Sequence, residues 1–233
     1  AASDALSMTV DATAPAQPAI TTTTTLTIDA TPTIEGTAEA GSTVTLLSSG
    51  VAIGTTTANG DGQFSITTST LADSNYVLTV TATDAAGNIS AASSALNITV
   101  DTTAPAKPAI TTTTALTNDS TPAIEGVAEA GSTVTLFVDG ETTGITTTAD
   151  GTTGAYTIAP SSSLPDGTHN LSVTATDIVG NVSVFSIILP IEIDTTAPST
   201  PSITTTSSLT NDSTPAIEGT ADSGSIINLF IDG

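Results

Sequence analysis

Residues 11–46 read DATAPAQPAITTTTTLTIDATPTIEGTAEAGSTVTL. Residues 101–136 repeat the phrase as DTTAPAKPAITTTTALTNDSTPAIEGVAEAGSTVTL, and residues 194–229 as DTTAPSTPSITTTSSLTNDSTPAIEGTADSGSIINL. The spacing from Asp11 to Asp101 and from Asp101 to Asp194 is too long for a solenoid turn and right for a small domain. Within the phrase, STVTL and its extension STVTLFVD alternate apolar and polar residues, placing Val134, Leu136 and Val138 on one face. NYVLTVTATD does the same with Tyr76, Leu78, Val80 and Ala82, and GQFSIT with Phe64 and Ile66. A period of two over short runs is the signature of half-buried strands, and Thr and Ser suit the exposed pleat.

Turn residues separate the runs: AEAGS, VDG, ANGDG, PDGTH and DAAGN. They divide the first repeat into about seven strands, near 19–25, 33–38, 43–48, 51–57, 63–68, 75–83 and 89–100. Seven short strands in about 90 residues predict an all-β chain of tandem immunoglobulin-like antiparallel β-sandwiches. The core is predicted to be Val, Ile, Leu and Ala with a few aromatics such as Phe64 and Tyr156. Residues 1–10, AASDALSMTV, match SSALNITV before Asp101. The predicted organisation is therefore the last strand of a preceding repeat (1–10), two repeats (11–100 and 101–193) and the N-terminal part of a further one (194–233). Such a chain reads as a window on a longer array, in which no signal peptide is expected. The three extra residues of the second repeat fall in turn-like stretches, as a fixed strand frame requires.

The 233 residues carry 23 acidic side chains against one basic side chain, Lys107, for a net charge of -22. Nucleic-acid binding is excluded, because phosphate contacts need Lys and Arg, and so is attraction to anionic membranes. No apolar run reaches the ~20 residues of a spanning helix, so direct membrane insertion is not expected. The absence of Cys removes disulfides, thiolate metal sites and Cys nucleophiles. No G-x-S-x-G, H-E-x-x-H or P-loop occurs, and no catalytic residue and no enzyme activity are expected. His169, the single His, aligns with Tyr76 of the other repeat, which suits a structural place better than a catalytic one. Mean hydropathy is +0.27, too apolar for a disordered acidic chain.

Acids without basic partners call for another counter-charge, and hard oxygen ligands select Ca2+. In the predicted sandwich the opening linker, the second-to-third-strand loop and the sixth-to-seventh-strand loop share one end. The candidate metal ligands are Asp11, Glu39, Asp84 and Asn88 in the first repeat, Asp101, Glu129, Asp177 and Asn181 in the second, and Asp194 and Asp222 in the partial one. The same residue types also make turns, so the turn reading stands beside the metal one. Asp29, Asp119, Asp73 and Asp166 lie at the opposite end, facing the next linker. Glu35, Glu125 and Glu218 follow an apolar Ile and point away from the core.

IEGTAEAGSTVTL, GQFSI and VTATDAAGNIS in that order, with DTTAP between repeats, resemble the bacterial Ig-like repeats of large secreted adhesins, including biofilm-associated and type I-secreted RTX adhesins. The resemblance implies an extracellular or cell-surface stalk stiffened by calcium at its junctions, presenting a distal adhesive module for surface attachment or biofilm formation. Its expected partners are the neighbouring repeats of the same chain. Two alternatives remain at this stage. One is an extracellular matrix or surface fibre polymer, in which other copies of the chain associate laterally. The other is a glycan-binding module, which the scarcity of aromatic platforms disfavours.

Overall fold

The computed structural model describes residues 6–206 and 208–231, and every named element in them is a strand. The first repeat contains β1 (Ala19–Ile20), β2 (Leu26–Thr27), β3 (Thr33–Thr37), β4 (Thr43–Ser48), β5 (Val51–Thr57), β6 (Gln63–Thr67), β7 (Ser74–Thr83) and β8 (Leu96–Val100). One sheet has the order β1-β3-β6 and the other β2-β8-β7-β4-β5. The second repeat copies it with β9 (Ala109–Ile110), β10 (Leu116–Thr117), β11 (Ile124–Val127), β12 (Thr133–Val138), β13 (Glu141–Thr148), β14 (Ala155–Ile158), β15 (Gly167–Thr176) and β16 (Leu189–Ile193). Its sheets run β14-β11-β9 and β10-β16-β15-β12-β13. The expected tandem sandwiches are present. In the partial repeat β17 (Ser202–Ile203) pairs with β18 (Gly219–Thr220), and Ile226, Leu229 and Phe230 are exposed.

Alternation decides the core. Val44, Leu46, Leu78, Val80 and Ala82 are fully buried between the sheets, facing Ile34, Phe64 and Ile66. The second core repeats this with Val134, Leu136, Leu171 and Val173 against Ile124, Tyr156 and Ile158. Burial pushes the Tyr156 phenol up to about 12, and its hydroxyl donates to the Ala109 carbonyl at 3.0 Å. The ring lies over Gly126, where a Cβ would stand 2.2 Å from both that carbonyl and the Tyr156 hydroxyl. Gly36 leaves the same room for Phe64. The β4–β5 and β12–β13 hairpins turn through Ser49–Gly50 and Asp139–Gly140, all four residues at positive φ, the backbone that a tight hairpin of right-twisted strands requires.

Two expected strands differ. The first, expected as one run over 19–25, is regular only in β1, and a second short strand, β2, follows just beyond it in the other sheet. β1 pairs antiparallel with β3, whereas β2 pairs parallel with β8, Leu26 opposite Thr99. The threonine run between them has no alternation to hold it in one sheet. The last, expected over 89–100, is regular only in β8. Upstream of β8 the main chain stays beside β7 through two serines. The Ser90 amide donates to the Ala82 carbonyl and the Ala82 amide donates to the Ser90 hydroxyl, at 2.9 Å each. Ser93 does the same with Val80. Both hydroxyls donate onward to the next residue's carbonyl. Ser183 and Ser186 latch onto Ala175 and Val173 identically. A hydroxyl thus replaces a ladder carbonyl as the acceptor for the buried amides of Val80, Ala82, Val173 and Ala175.

Candidate functional site: the joints between repeats

The register Thr43↔Thr83 and Thr133↔Thr176 sets the β3–β4 loop beside the β7–β8 loop, as expected for one end of the sandwich. In the first repeat Asp84 folds the DAAGN loop upon itself. Its carboxylate accepts the Asn88 main-chain amide and the Asn88 side-chain amide, both at 2.8 Å. The same side-chain amide reaches the Asp11 main-chain carbonyl at 3.2 Å. In the second repeat the Asp177 carboxylate accepts the amides of Val179, Gly180 and Asn181 and the Asn181 side chain. Asn181 also donates to the Asp101 carbonyl at 2.9 Å. Burial alone would raise the Asp177 pKa, but the Asn181 side chain and the loop amides outweigh it and hold the carboxyl below its ordinary value. At Asp84 the Asn88 side-chain bond leads the same downward shift.

The linker carboxylates turn elsewhere. Asp11, Asp101 and Asp194 each accept the amide two residues ahead, from Thr13, Thr103 and Thr196. This local turn competes with any longer reach. Glu39 and Glu129 are exposed, and the joining contact each makes is its main-chain carbonyl accepting Ser42 or Ser132. Asp222 reaches the linker of its own repeat and accepts the Ser199 amide and hydroxyl, at 2.7 and 2.8 Å. The structure therefore brings Asn88 and Asn181 to the linker main chain, while Asp84 and Asp177 hold those asparagines from within their own loops. Among the described residues no three His, Cys, Asp or Glu side chains are grouped to hold a metal ion. The oxygens that converge at the linker, a loop carboxylate and a linker carbonyl, both accept from one Asn side-chain amide. Oxygen is also the ligand a hard cation takes, and a cation would have to displace that amide.

The opposite end grips the linker through more bonds. Asp73 of the first repeat accepts the Thr102 amide at 2.9 Å, the Thr102 hydroxyl at 2.8 Å and the Thr103 hydroxyl. Asp166 of the second repeat holds Thr195 and Thr196 in the same way. The bonds to the Thr103 and Thr102 hydroxyls lead in lowering the Asp73 pKa, and those to Thr195 lead at Asp166. The Asp101 and Asp194 amides meanwhile donate to Thr27 and Thr117 at 3.0 Å. Asp101 thus has its amide tied to the first repeat and its carbonyl tied to the second. The linker has no slack residue at that point.

A family model described as a bacterial Ig-like domain matches residues 4–102 and 108–195. No curated protein matches the chain in sequence. Among solved structures, a marsupial T cell receptor shares 9% identity over 80% of this chain and 76% of that one, with a TM-score of 0.53. A biofilm-associated protein BSP domain shares 22% identity over 78% of this chain, with a TM-score of 0.32. The fibronectin(III)-like modules of Clostridium thermocellum CbhA share 20% over 75% of this chain and 92% of that one, with a TM-score of 0.46. The chain spans 30% of the biofilm-associated structure. The T cell receptor likeness supports an immunoglobulin-type sandwich and nothing about activity.

Proposed function

The chain belongs to the bacterial Ig-like domain family, and on that premise we propose that it is a spacer segment of an extracellular bacterial surface adhesin. Each sandwich is a bead, and the beads are set at fixed angles to hold an adhesive module away from the cell. The observation that carries this reading is Asp101 and its two following threonines, bonded to the repeat before and the repeat after within three residues. A joint without slack turns a string of domains into a rod. Each bead adds on the order of 40 Å, given ~3.3 Å per strand residue and the loops at either end.

Calcium is part of the proposal. Asp84 with Asp11, and Asp177 with Asp101, are the residues that would hold it, with Glu39 and Glu129 further acids on the same end. When bound, the ion supplies positive charge to joints whose linkers carry a single basic residue, Lys107, among several acids. Binding has to draw the Asp101 carboxylate away from the Thr103 amide, so ion and local turn compete for the same oxygen. An ion that prefers the docked joint also stabilises it by linkage.

Small-angle scattering with spin labels on adjacent repeats tests both parts. The expected result is a narrow inter-repeat distance and an extended particle. A broad distance distribution in calcium and in chelator alike refutes the spacer. A distribution and melting curve that chelator leaves unchanged from those in millimolar calcium refute the ion while sparing the rod.

A further inference from the structure

We propose that the second repeat carries a self-association edge through which two copies of the chain pair side by side. This goes beyond the spacer reading and does not depend on it. Residues 178–191, IVGNVSVFSIILPI, contain no charged side chain in a chain of 23 acids. Val184, Phe185, Ile187 and Ile188 are 69%, 52%, 74% and 58% exposed. The fold does not demand them. The first repeat latches the same segment to the same neighbouring strand with Ala91, Ala92, Ser94 and Ala95 at the matching places. Only Phe185 has a ring partner, Phe137, edge-on with centroids 4.9 Å apart, and half of it still faces solvent.

The backbone of this segment is open as well. Ser183 and Ser186 spend their main-chain and hydroxyl bonds on β15. The amides of Val184, Phe185, Ile187 and Ile188 donate to no described residue. The usual protections of an exposed edge, a lysine or an inward charge, are missing until Pro190.

The occupant that fits is a second copy. A basic partner finds no carboxylate here to pair with, and an acidic one gains nothing from the surrounding charge. Two copies, each at -22, can approach along this window without setting acid against acid. A twofold axis then lays one apolar edge antiparallel on the other, each completing its partner's open amides. With Val182, these residues expose roughly 600 Å² per copy, main chain included, so a pair buries at most about 1,200 Å², the lower bound for specific pairs. The pairing is therefore weak and reversible for one repeat.

Sedimentation velocity of the whole chain, from low micromolar to millimolar concentration, tests this. The wild type is expected to rise reversibly toward twice its mass, more readily at high salt, where the mutual repulsion is screened. The quadruple variant V184A/F185A/I187S/I188A, which carries the first repeat's own residues, is expected to stay monomeric with an unchanged circular dichroism spectrum. The reverse graft A91V/A92F/S94I/A95I is expected to strengthen association, and it keeps the test open should the first variant fold poorly. A wild type that remains monomeric at the highest concentration overturns the proposal. So does a folded quadruple variant that still dimerises, which would shift the seam to the exposed apolar residues of the partial repeat.

Discussion

Replacing Ser183 by Ala removes one hydroxyl and tests whether the latch holds the last strand of the second repeat. The Ser183 hydroxyl accepts the Ala175 amide at 2.9 Å and donates to the Val184 carbonyl at 2.9 Å. Ala175 is fully buried, so its amide has no water to turn to. Leaving one buried donor unpaired costs about 1–3 kcal/mol. In a domain of about 90 residues each kcal/mol moves the melting temperature by about 4–8 °C, so a fall of roughly 5–20 °C is expected. Ser186→Ala removes the same bond from Val173. The double variant should lose less than the sum, because the two latches hold one segment. The first repeat is the internal reference. Calorimetry should show its transition unmoved while that of the second repeat falls, and amide exchange at Ala175 should accelerate. Ser161→Ala, at an exposed site, should stay within about 0.5 kcal/mol of wild type. If Ser183→Ala melts with the wild type and Ala175 stays protected, the hydroxyl is not that amide's partner, and the strand is held by something else.

Gly126→Ala should cost about 1–3 kcal/mol or more, read by urea unfolding, because its Cβ meets the Ala109 carbonyl and the Tyr156 ring with no space to yield. Asp73→Ala should broaden the distance distribution between labels on the two repeats while leaving both melting transitions in place; a narrow distribution would show that the threonine clamp does not set the joint. His169 sits between two acceptors, the Asp139 carboxylate at 2.8 Å and the Pro165 carbonyl at 3.0 Å, so its imidazolium form satisfies both ring nitrogens. The Asp139 bond leads in raising the His169 pKa, while the Asn170 amide and then His169 lower that of Asp139. The contribution is complete below the ordinary imidazole value of 6.5 and is lost as pH rises through the raised one; at the acid end it is lost as Asp139 protonates below 3.8. A proton NMR titration of the His169 ring should show the upward shift, and His169→Tyr, which copies Tyr76, should remove the alkaline limb of the melting profile.

The strands that alternate were legible in the sequence. β3, β4, β6 and β7 lie within a residue of their expected bounds, because one face is buried and a slip of one residue would expose it. The threonine run before β2 has no such face, and its division between sheets depends on β8, some 70 residues later. The latching serines read as ordinary polar residues until their position opposite Val80 and Ala82 is known. At the joints, strand order correctly grouped the linker with the DAAGN loop. Spacing does not tell whether a residue offers its carboxylate or its carbonyl, and Asp101 offers the carbonyl. The sequence places Asp73 facing the linker but does not reveal its grip, because its partners, Thr102 and Thr103, are uncharged and carry no signal of their own.

The parallel pairing of β2 with β8 and of β10 with β16 bears on how such a chain responds to pulling. In each bead β2 or β10, the second short strand, lies beside the last strand, β8 or β16, and tension along the chain drags the two in opposite directions. The bonds from Thr99 to Thr25 and from Asp101 to Thr27 are then sheared together, not peeled one by one. The same holds for Glu192 with Ala115 and Asp194 with Thr117. In the proposed spacer, a pull along the chain would therefore load these paired bonds in shear.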